Sequence, residues 1–274
     1  MRPFPAKPGP WGTPVLLGIP LDQNSSYLRG PARAPKLIRE ALQSDAWNLT
    51  TETRVDLATP GLWEDAGDLT DMHADSYGRI ETAIGAILDA GKRPLCLGGD
   101  HSVTYPILRA VGARMKDVTL VHFDAHPDLY VNFEGNPHSH ASPFARILEN
   151  RLAKRLIQIG VRTLNAHQAE QAKKFGVEIF EMVAMPDPVA LKLAAPIYVS
   201  FDMDALDPAF APGVSHWEPG GMTTREALHY LQALPGPIIG ADLVELNPTR
   251  DEKGFTATVA AKILKELLGK MIVG

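Results

Sequence analysis

An apolar run that ends in alternating charged residues is the most unusual feature of this 274-residue sequence. In VHFDAHPD, residues 121–128, the side chains of Asp124, His126 and Asp128 stand at every second position. Side chains at i, i+2 and i+4 of an extended chain point the same way, so these three could converge beyond a strand end. Pro127 lacks an amide N–H and would stop strand pairing there. Because unpaired charge is costly to bury, the trio is a candidate site for a bound cation.

Three other apolar runs end in side chains of the same kind. Asp100 and His101 follow the run LCLGG at 95–99. Asp202 and Asp204 stand two positions apart at the end of PIYVSFDMD, residues 196–204, and Glu245 is the last residue of GADLVE, residues 240–245. A single Asp-x-Asp after a strand is most often a turn or a helix cap. Four clusters at four strand ends instead indicate a shared site, because parallel strands bring their carboxyl ends to one edge of a sheet.

The carboxylates of these clusters would repel one another, and their pKa values would rise, unless a cation neutralised them. Two histidines with four of these aspartates form a nitrogen and oxygen ligand set, which suits Mn²⁺ better than a thiolate zinc site. Six protein ligands exceed what one ion with an open position usually takes, so two ions with bridging carboxylates are expected. Co²⁺ or Ni²⁺ would accept the same ligands.

The elements that must position these residues follow from the apolar pattern. Short runs bounded by Gly, Pro or Asp predict buried parallel strands at 14–20, 93–99, 118–124, 155–161, 177–182, 196–202 and 236–243. Helical spacing of apolar residues predicts helices at 34–44, 75–90, 103–115, 141–153, 166–174, 224–233 and 256–272. The alternation predicts an α/β fold, with one mostly parallel sheet between helices on both faces, as a single domain over residues 1–274.

The bulk composition excludes several classes of protein. A net charge of −5 leaves no basic footprint for nucleic acid, and no run reaches the roughly 18 apolar residues of a membrane span. Residues 1–12 are rich in Pro and Gly and lack the apolar core of a signal peptide, so they predict a surface tail. Cys96 is the single cysteine, which excludes an internal disulfide, and we expect a cytoplasmic protein.

Three of the motifs resemble the signatures of one enzyme family. GGDHS at 98–102, DAHPD at 124–128 and SFDMDALDP at 200–208 look like those of the arginase/agmatinase (ureohydrolase) family. DLYVNFEGNPHSHASPFARI and DPAFAPGVSHWEPGG look closest to plant-type arginases. The resemblance implies an arginase-like three-layer α/β/α fold, two Mn²⁺ ions, and hydrolysis of a guanidino group to urea and an amine by a hydroxide that the ions share. It also implies a homotrimer or a homohexamer.

The resemblance also assigns roles to residues. Asp124 and Asp202 would bridge the two ions, His140 would carry the catalytic proton, and Glu245 would hold the guanidinium. A guanidinium is a delocalised cation and a poor electrophile, so it needs a strong nucleophile. A histidine suits proton transfer near neutral pH, and His138 is the competitor for that role. The metal ligands implied are His101, Asp124, His126, Asp128, Asp202 and Asp204.

The sequence leaves the substrate open, because two positions depart from animal-type arginases. Tyr130 stands where those enzymes have an Asn that contacts the amino-acid end of arginine, and His216 stands where they have a Thr. Arginine needs donors for its carboxylate, and Asn132, Asn136 and Ser139 are the candidates; agmatine needs none. Arginase is the preferred interpretation. An agmatinase, another guanidino-acid hydrolase, and a catalytically silent metal-binding homologue are the alternatives.

Overall fold

The centre of the protein is one sheet of eight strands in a computed structural model that describes residues 10–193 and 196–274. All described pairings between neighbouring strands are parallel, in the order β2-β1-β3-β8-β7-β4-β5-β6. The strands are β1 (Pro14–Gly18), β2 (Glu64–Asp68), β3 (Arg93–Leu97), β4 (Thr119–Phe123), β5 (Arg155–Val161), β6 (Glu178–Glu181), β7 (Ile197–Asp202) and β8 (Ile238–Val244). The predicted parallel sheet is therefore confirmed. Most of the predicted surface tail, residues 1–12, lies outside the described residues.

Helices cover both faces of the sheet, which confirms the three-layer α/β/α class. Helices α1, α6 and α7 pack together on one face, and α2, α3 and α4 pack on the other. No helix in the described part of the chain is long and apolar enough to cross a membrane. The helices are α1 (Ala34–Leu42), α2 (Ser76–Asp89), α3 (Thr104–Arg114), α4 (Pro143–Glu149), α5 (Ala166–Phe175), α6 (Thr224–Ala233) and α7 (Phe255–Val273).

The central strands are buried on both faces, as their continuous apolar runs predicted. In β4, Val121 and Phe123 belong to the core under α1, α6 and α7, whereas Leu120 belongs to the core under α2 and α3. The ring of Phe123 stacks on that of Phe201 in β7, with centroids 5.2 Å apart. Burying a side chain of this size stabilises the fold by roughly 1.5–3 kcal/mol.

Strand β2 is the one described strand that the apolar pattern did not predict. Its sequence, EDAGD, is exposed at every position, and it pairs with β1 alone at the edge of the sheet. Cations from other elements hold it: Arg39 binds Asp65 and Asp68, and Lys92 binds Glu64. Charged side chains on an edge strand also discourage pairing with another chain.

The strand order brings the four motifs together. β3, β8, β7 and β4 are consecutive neighbours at the centre of the sheet. Each runs directly into one of the polar clusters at its carboxyl end. Ligand sites in open α/β sheets lie beyond the carboxyl ends of the strands.

Candidate active site

Three local backbone features turn the chain sharply at the ends of these strands. After β3, Gly99 packs so closely on Leu21 that an added Cβ would lie 1.9 Å from the Leu21 carbonyl oxygen. After β4, Asp128 has a φ of 50°, and after β8, Glu245 has a φ of 65°. Residues other than glycine rarely adopt this left-handed backbone conformation, and backbone strain of this kind concentrates at functional sites.

His101 lies at the centre of a group of three carboxylates. Its ring is fully buried, and its Nδ1 atom lies 3.1 Å from Asp124 Oδ2, 3.2 Å from Asp128 Oδ2 and 3.1 Å from Asp202 Oδ2. No described residue makes a well-aligned hydrogen bond to this Nδ1 atom. A buried ring nitrogen that faces several carboxylates without a partner fits a bound divalent cation.

A second group of the same kind surrounds His126. The His126 Nδ1 atom lies 3.3 Å from Asp124 Oδ1 and 3.1 Å from Asp204 Oδ2. The three ligand atoms of His126, Asp124 and Asp204 are close enough together to hold one ion. Asp124 takes part in both groups, through different oxygens. The structure thus brings together all six residues that the resemblance implied as metal ligands.

The electrostatics of the group also favour a cation. Burial and the negative charge of Asp124 raise the pKa of Asp128 to about 6. Burial, followed by the charges of Asp204 and Asp124, raises the pKa of Asp202 well above its ordinary value. Carboxylates in this situation resist ionisation until a positive charge compensates them. The residues present therefore fit a divalent metal centre.

The far side of the His101 ring is held by a chain of hydrogen bonds. Asp242 in β8 accepts from the hydroxyl of Tyr198 at 2.8 Å and from that of Ser200 at 2.6 Å. Because the Ser200 proton is used in this way, Ser200 Oγ accepts from His101 Nε2–H at 2.9 Å. This arrangement keeps a proton on Nε2, so Nδ1 is the ring nitrogen that would bind a metal.

His122 and Gln158 support Asp124 from inside the sheet, and neither was predicted to belong to the site. His122 Nε2–H donates to Asp124 Oδ2 at 2.7 Å, and its Nδ1 accepts from Gln158 Nε2 at 3.0 Å. Burial lowers the pKa of His122 to about 4, so the ring is neutral. The sequence does show one signal: His122 and Gln158 are polar residues within the mostly apolar runs that form β4 and β5.

His140 and Glu245 form a buried ion pair beside the carboxylate group. His140 Nδ1–H donates to Glu245 Oε1 at 2.8 Å, and its Nε2 lies 2.8 Å from Ser26 Oγ. Burial lowers the pKa of His140, but the charge and hydrogen bond of Glu245, together with the charges of Asp100 and Asp128, outweigh this effect and raise that pKa to about 9. Burial raises the pKa of Glu245, but the contacts with His140 and His101 together lower it overall. Both groups are therefore ionised at neutral pH.

A cavity of about 180 Å³ opens onto these groups. His126, Asp128, Asp202 and Asp204 line its metal-ligand end, and a mixed polar and aromatic wall lines the rest. The sequence had not indicated Thr163 or Gln168, which lie near the start of α5 and carry no motif. The wall consists of Ser26, Tyr130, Phe133, His140, Ala141, Thr163, Gln168, His216 and Glu245.

The three residues predicted to donate hydrogen bonds to the substrate carboxylate lie outside the cavity wall. Asn132 is exposed, Asn136 donates to Asn24 Oδ1 at 3.1 Å, and the buried Ser139 hydroxyl accepts from Ala141 N at 3.3 Å. Asn132, Asn136 and Ser139 lie outside the set of residues that line the cavity. Their role in substrate binding stays a prediction. His138 is exposed and packs on Tyr77 and Tyr105, and it lies outside the set of residues that line the cavity.

The sequence is similar to those of known proteins over nearly its whole length. The model of the arginase family matches residues 13–269 of the sequence. The chain belongs to the arginase family. The sequence is 47% identical to the mitochondrial arginase of Medicago truncatula, over 94% of this chain and 82% of that protein. It is 46% identical to mitochondrial arginase 1 of Arabidopsis thaliana, over 93% of this chain and 80% of that protein.

The fold comparison agrees with membership of the arginase family. The solved arginase structure from Medicago truncatula superposes with a TM-score of 0.90 at 44% identity, covering 95% of this chain and 88% of that one. The resemblance to plant-type arginases is therefore confirmed.

One expectation is wrong. The plant relatives are named as mitochondrial enzymes, which contradicts the expected cytoplasmic location. The physical reason is that a single cysteine excludes only a disulfide-stapled protein, and reducing compartments other than the cytoplasm meet that condition equally well.

Proposed function

We propose that this chain hydrolyses the guanidino group of L-arginine to urea and L-ornithine at a binuclear metal centre. The observation that carries the proposal is the convergence of His101, His126 and four aspartates next to a buried glutamate and histidine. His101, Asp124, Asp128 and Asp202 would hold one ion; Asp124, His126, Asp202 and Asp204 would hold the other. Mn²⁺ is the proposed metal, and Co²⁺ or Ni²⁺ suits the same donors.

Bound divalent ions would supply a water activated as a nucleophile at neutral pH. Glu245 is suited to hold the guanidinium over the ligand group. Its Oε1 accepts from His140 Nδ1 and from the His101 amide N–H at 2.8 Å, and no described residue donates to Oε2. Glu245 lines the cavity, so Oε2 is available to a cation there. A carboxylate paired with a guanidinium fixes the position of its carbon through charge-assisted hydrogen bonds.

His140 is suited to supply the proton that the leaving amine requires. With a pKa of about 9 it is protonated at neutral pH, and it lines the same cavity as Glu245. Ser26 Oγ lies 2.8 Å from Nε2 and lines the same cavity, so it offers a hydroxyl next to the ring. A positioned histidine of this kind accelerates a reaction by typically 10²–10⁴-fold.

Urea release tests the proposal directly. The protein is loaded with Mn²⁺, and urea is measured with L-arginine, agmatine, 4-guanidinobutyrate and guanidine. Arginine is expected to be the best substrate, because the plant relatives are named arginases. Faster urea release from agmatine would support the agmatinase alternative. Urea from none of the four would support a catalytically silent homologue.

We also propose that residues 1–274 form a single domain that assembles as a homotrimer or a homohexamer. The single continuous sheet supports the first statement. Light scattering coupled to size-exclusion chromatography tests the second. A mass of three or six chains of 29.8 kDa is expected, and a monomer or a dimer would contradict it.

A further inference from the structure

Gln168 is a buried glutamine in the wall of the reaction cavity to which the proposed mechanism gives no part. It is 3% exposed, and it lies in the first turn of α5, where its backbone N–H donates to the N-cap residue Asn165 at 3.0 Å. Its side chain reaches back to the turn after β4, and its Oε1 accepts from Leu129 N at 3.0 Å. Gln168 therefore joins the start of α5 to the residue that follows Asp128.

This contact fixes which end of the amide faces the cavity. A backbone N–H can only donate, so the atom next to Leu129 N must be the carbonyl oxygen. The NH₂ group, with two protons to donate, lies at the other end of the amide. No acceptor for this Nε2 atom is found among the residues that the structure describes, and the side chain lines the cavity. Because Nε2 keeps access to the cavity, a ligand or an ordered water there can accept its hydrogen bonds.

The neighbouring polar group has the opposite character. Thr163 Oγ1 donates its proton to the Ala125 carbonyl at 3.0 Å, so it can offer the cavity only its lone pairs. The cavity wall next to the metal ligands therefore presents a fixed donor at Gln168 and a fixed acceptor at Thr163. An α-amino acid carries the complementary pair, a carboxylate that accepts and an ammonium that donates.

We propose that Gln168 determines specificity by donating from Nε2 to a carboxylate at the far end of the substrate, so that the site prefers a guanidino amino acid to the corresponding amine. The inference rests on the proposed function, because it assigns the substrate of the same cavity. Leu129 follows Asp128 directly, and the side chains of Gln168 and Asp128 line the same cavity. Agmatine ends in an ammonium, which cannot accept from Nε2.

The decisive variant is Gln168→Glu, which keeps the size of the side chain and an oxygen that accepts from Leu129 N. Gln168→Met, by contrast, removes both the acceptor and the donor. Gln43→Glu makes the same change of charge at an exposed position at the end of α1, and it serves as the matched control. Initial rates with L-arginine and with agmatine are measured on Mn²⁺-loaded full-length protein at pH 9, where a glutamate is ionised.

The inference predicts that Gln168→Glu lowers kcat/KM for L-arginine at least about tenfold, because a hydrogen bond to a charged group is lost and a repulsion replaces it. The loss falls mainly on KM, and kcat/KM for agmatine does not fall. Gln43→Glu keeps the wild-type ratio of the two substrates. An unchanged ratio in Gln168→Glu overturns the inference, as does a wild-type protein that prefers agmatine.

A merely structural role gives a different pattern. Gln168→Met then lowers the Tm and reduces both substrates alike, while Gln168→Glu resembles the wild type. If the wild type releases no urea, the proposed function fails, and calorimetric titration of L-arginine and agmatine into the Mn²⁺-loaded protein decides the inference separately. Tighter binding of arginine that Gln168→Glu abolishes upholds it. Equal binding of the two ligands by the wild type overturns it.

Discussion

The orientation of the His101 ring depends on Asp242, and changing that residue should weaken metal binding without touching a ligand. In Asp242→Asn, the amide presents one oxygen and one NH₂ group to the hydroxyls of Tyr198 and Ser200. If the NH₂ group faces Ser200, the serine must turn its proton towards His101 Nε2. The ring proton then moves to Nδ1, which faces the three carboxylates and can no longer bind an ion.

The magnitude follows from the position of Asp242 behind a ligand. Partners of this kind typically contribute 10–100-fold to metal affinity, which corresponds to about 1.4–2.8 kcal/mol. Affinity for Mn²⁺ is measured by competition with a fluorescent chelator, together with circular dichroism to verify folding. Tyr198→Phe is the control, because it removes the other hydroxyl and leaves the His101–Ser200–Asp242 chain intact. A folded Asp242→Asn protein with wild-type affinity would refute the reasoning about the ring proton.

Three further outcomes follow from the same geometry. Asp202→Ala should lose metal and urea release together, because Asp202 is a proposed bridging ligand whose loss affects both ions; retention of two ions, measured by plasma mass spectrometry, would contradict this. His140→Ala should keep its metal and lose about 10²–10⁴-fold in kcat, and full activity would exclude a proton-transfer role. In chelator-treated protein, burial lowers the pKa of His140, but Glu245, Asp100 and Asp128 together raise it to about 9. The stability that His140 contributes is therefore fully present below the unfolded pKa of about 6.5 and disappears as the pH rises through 9. The Tm difference between wild type and His140→Asn should therefore shrink between pH 6.5 and pH 9.5, and a difference that grows over this range would show that the ion pair does not stabilise the fold.

The strands that could be predicted from the sequence are those that helices bury on both faces of the sheet. β4 and β7 are buried at every position and mostly apolar, because helices cover both faces of the sheet. β2 could not be predicted in this way, since an exposed edge strand needs no apolar residues and here depends on Arg39 and Lys92 from distant segments. Its place is visible only once those segments are folded together.

The residues of the candidate site also differ in how far the sequence predicts them. The six proposed metal ligands could be identified because their chemistry stands at strand ends, in short motifs. His122 lies within a strand, where a polar residue looks like an exception in the core, and its contact with Gln158 joins residues that are neighbours only across the sheet. Gln168 carries no motif at all, and its position in the cavity depends on where α5 begins. The location in the cell was predicted wrongly, because composition reports on redox chemistry and not on a destination.

The placement of β8 has a consequence for how the centre comes into being. β8 fills the gap between β3 and β7, although Leu97 of β3 and Leu243 of β8, which pair there, are far apart in the chain. Contacts at such separation form slowly, because closing a long loop must precede them. During synthesis, β3 and β7 leave the ribosome before β8, so the sheet lacks the strand between them until β8 has been made. Glu245 follows β8 directly, so the chain cannot complete its proposed guanidinium site before β8 joins the sheet, and metal-dependent urea release would report that the sheet is complete.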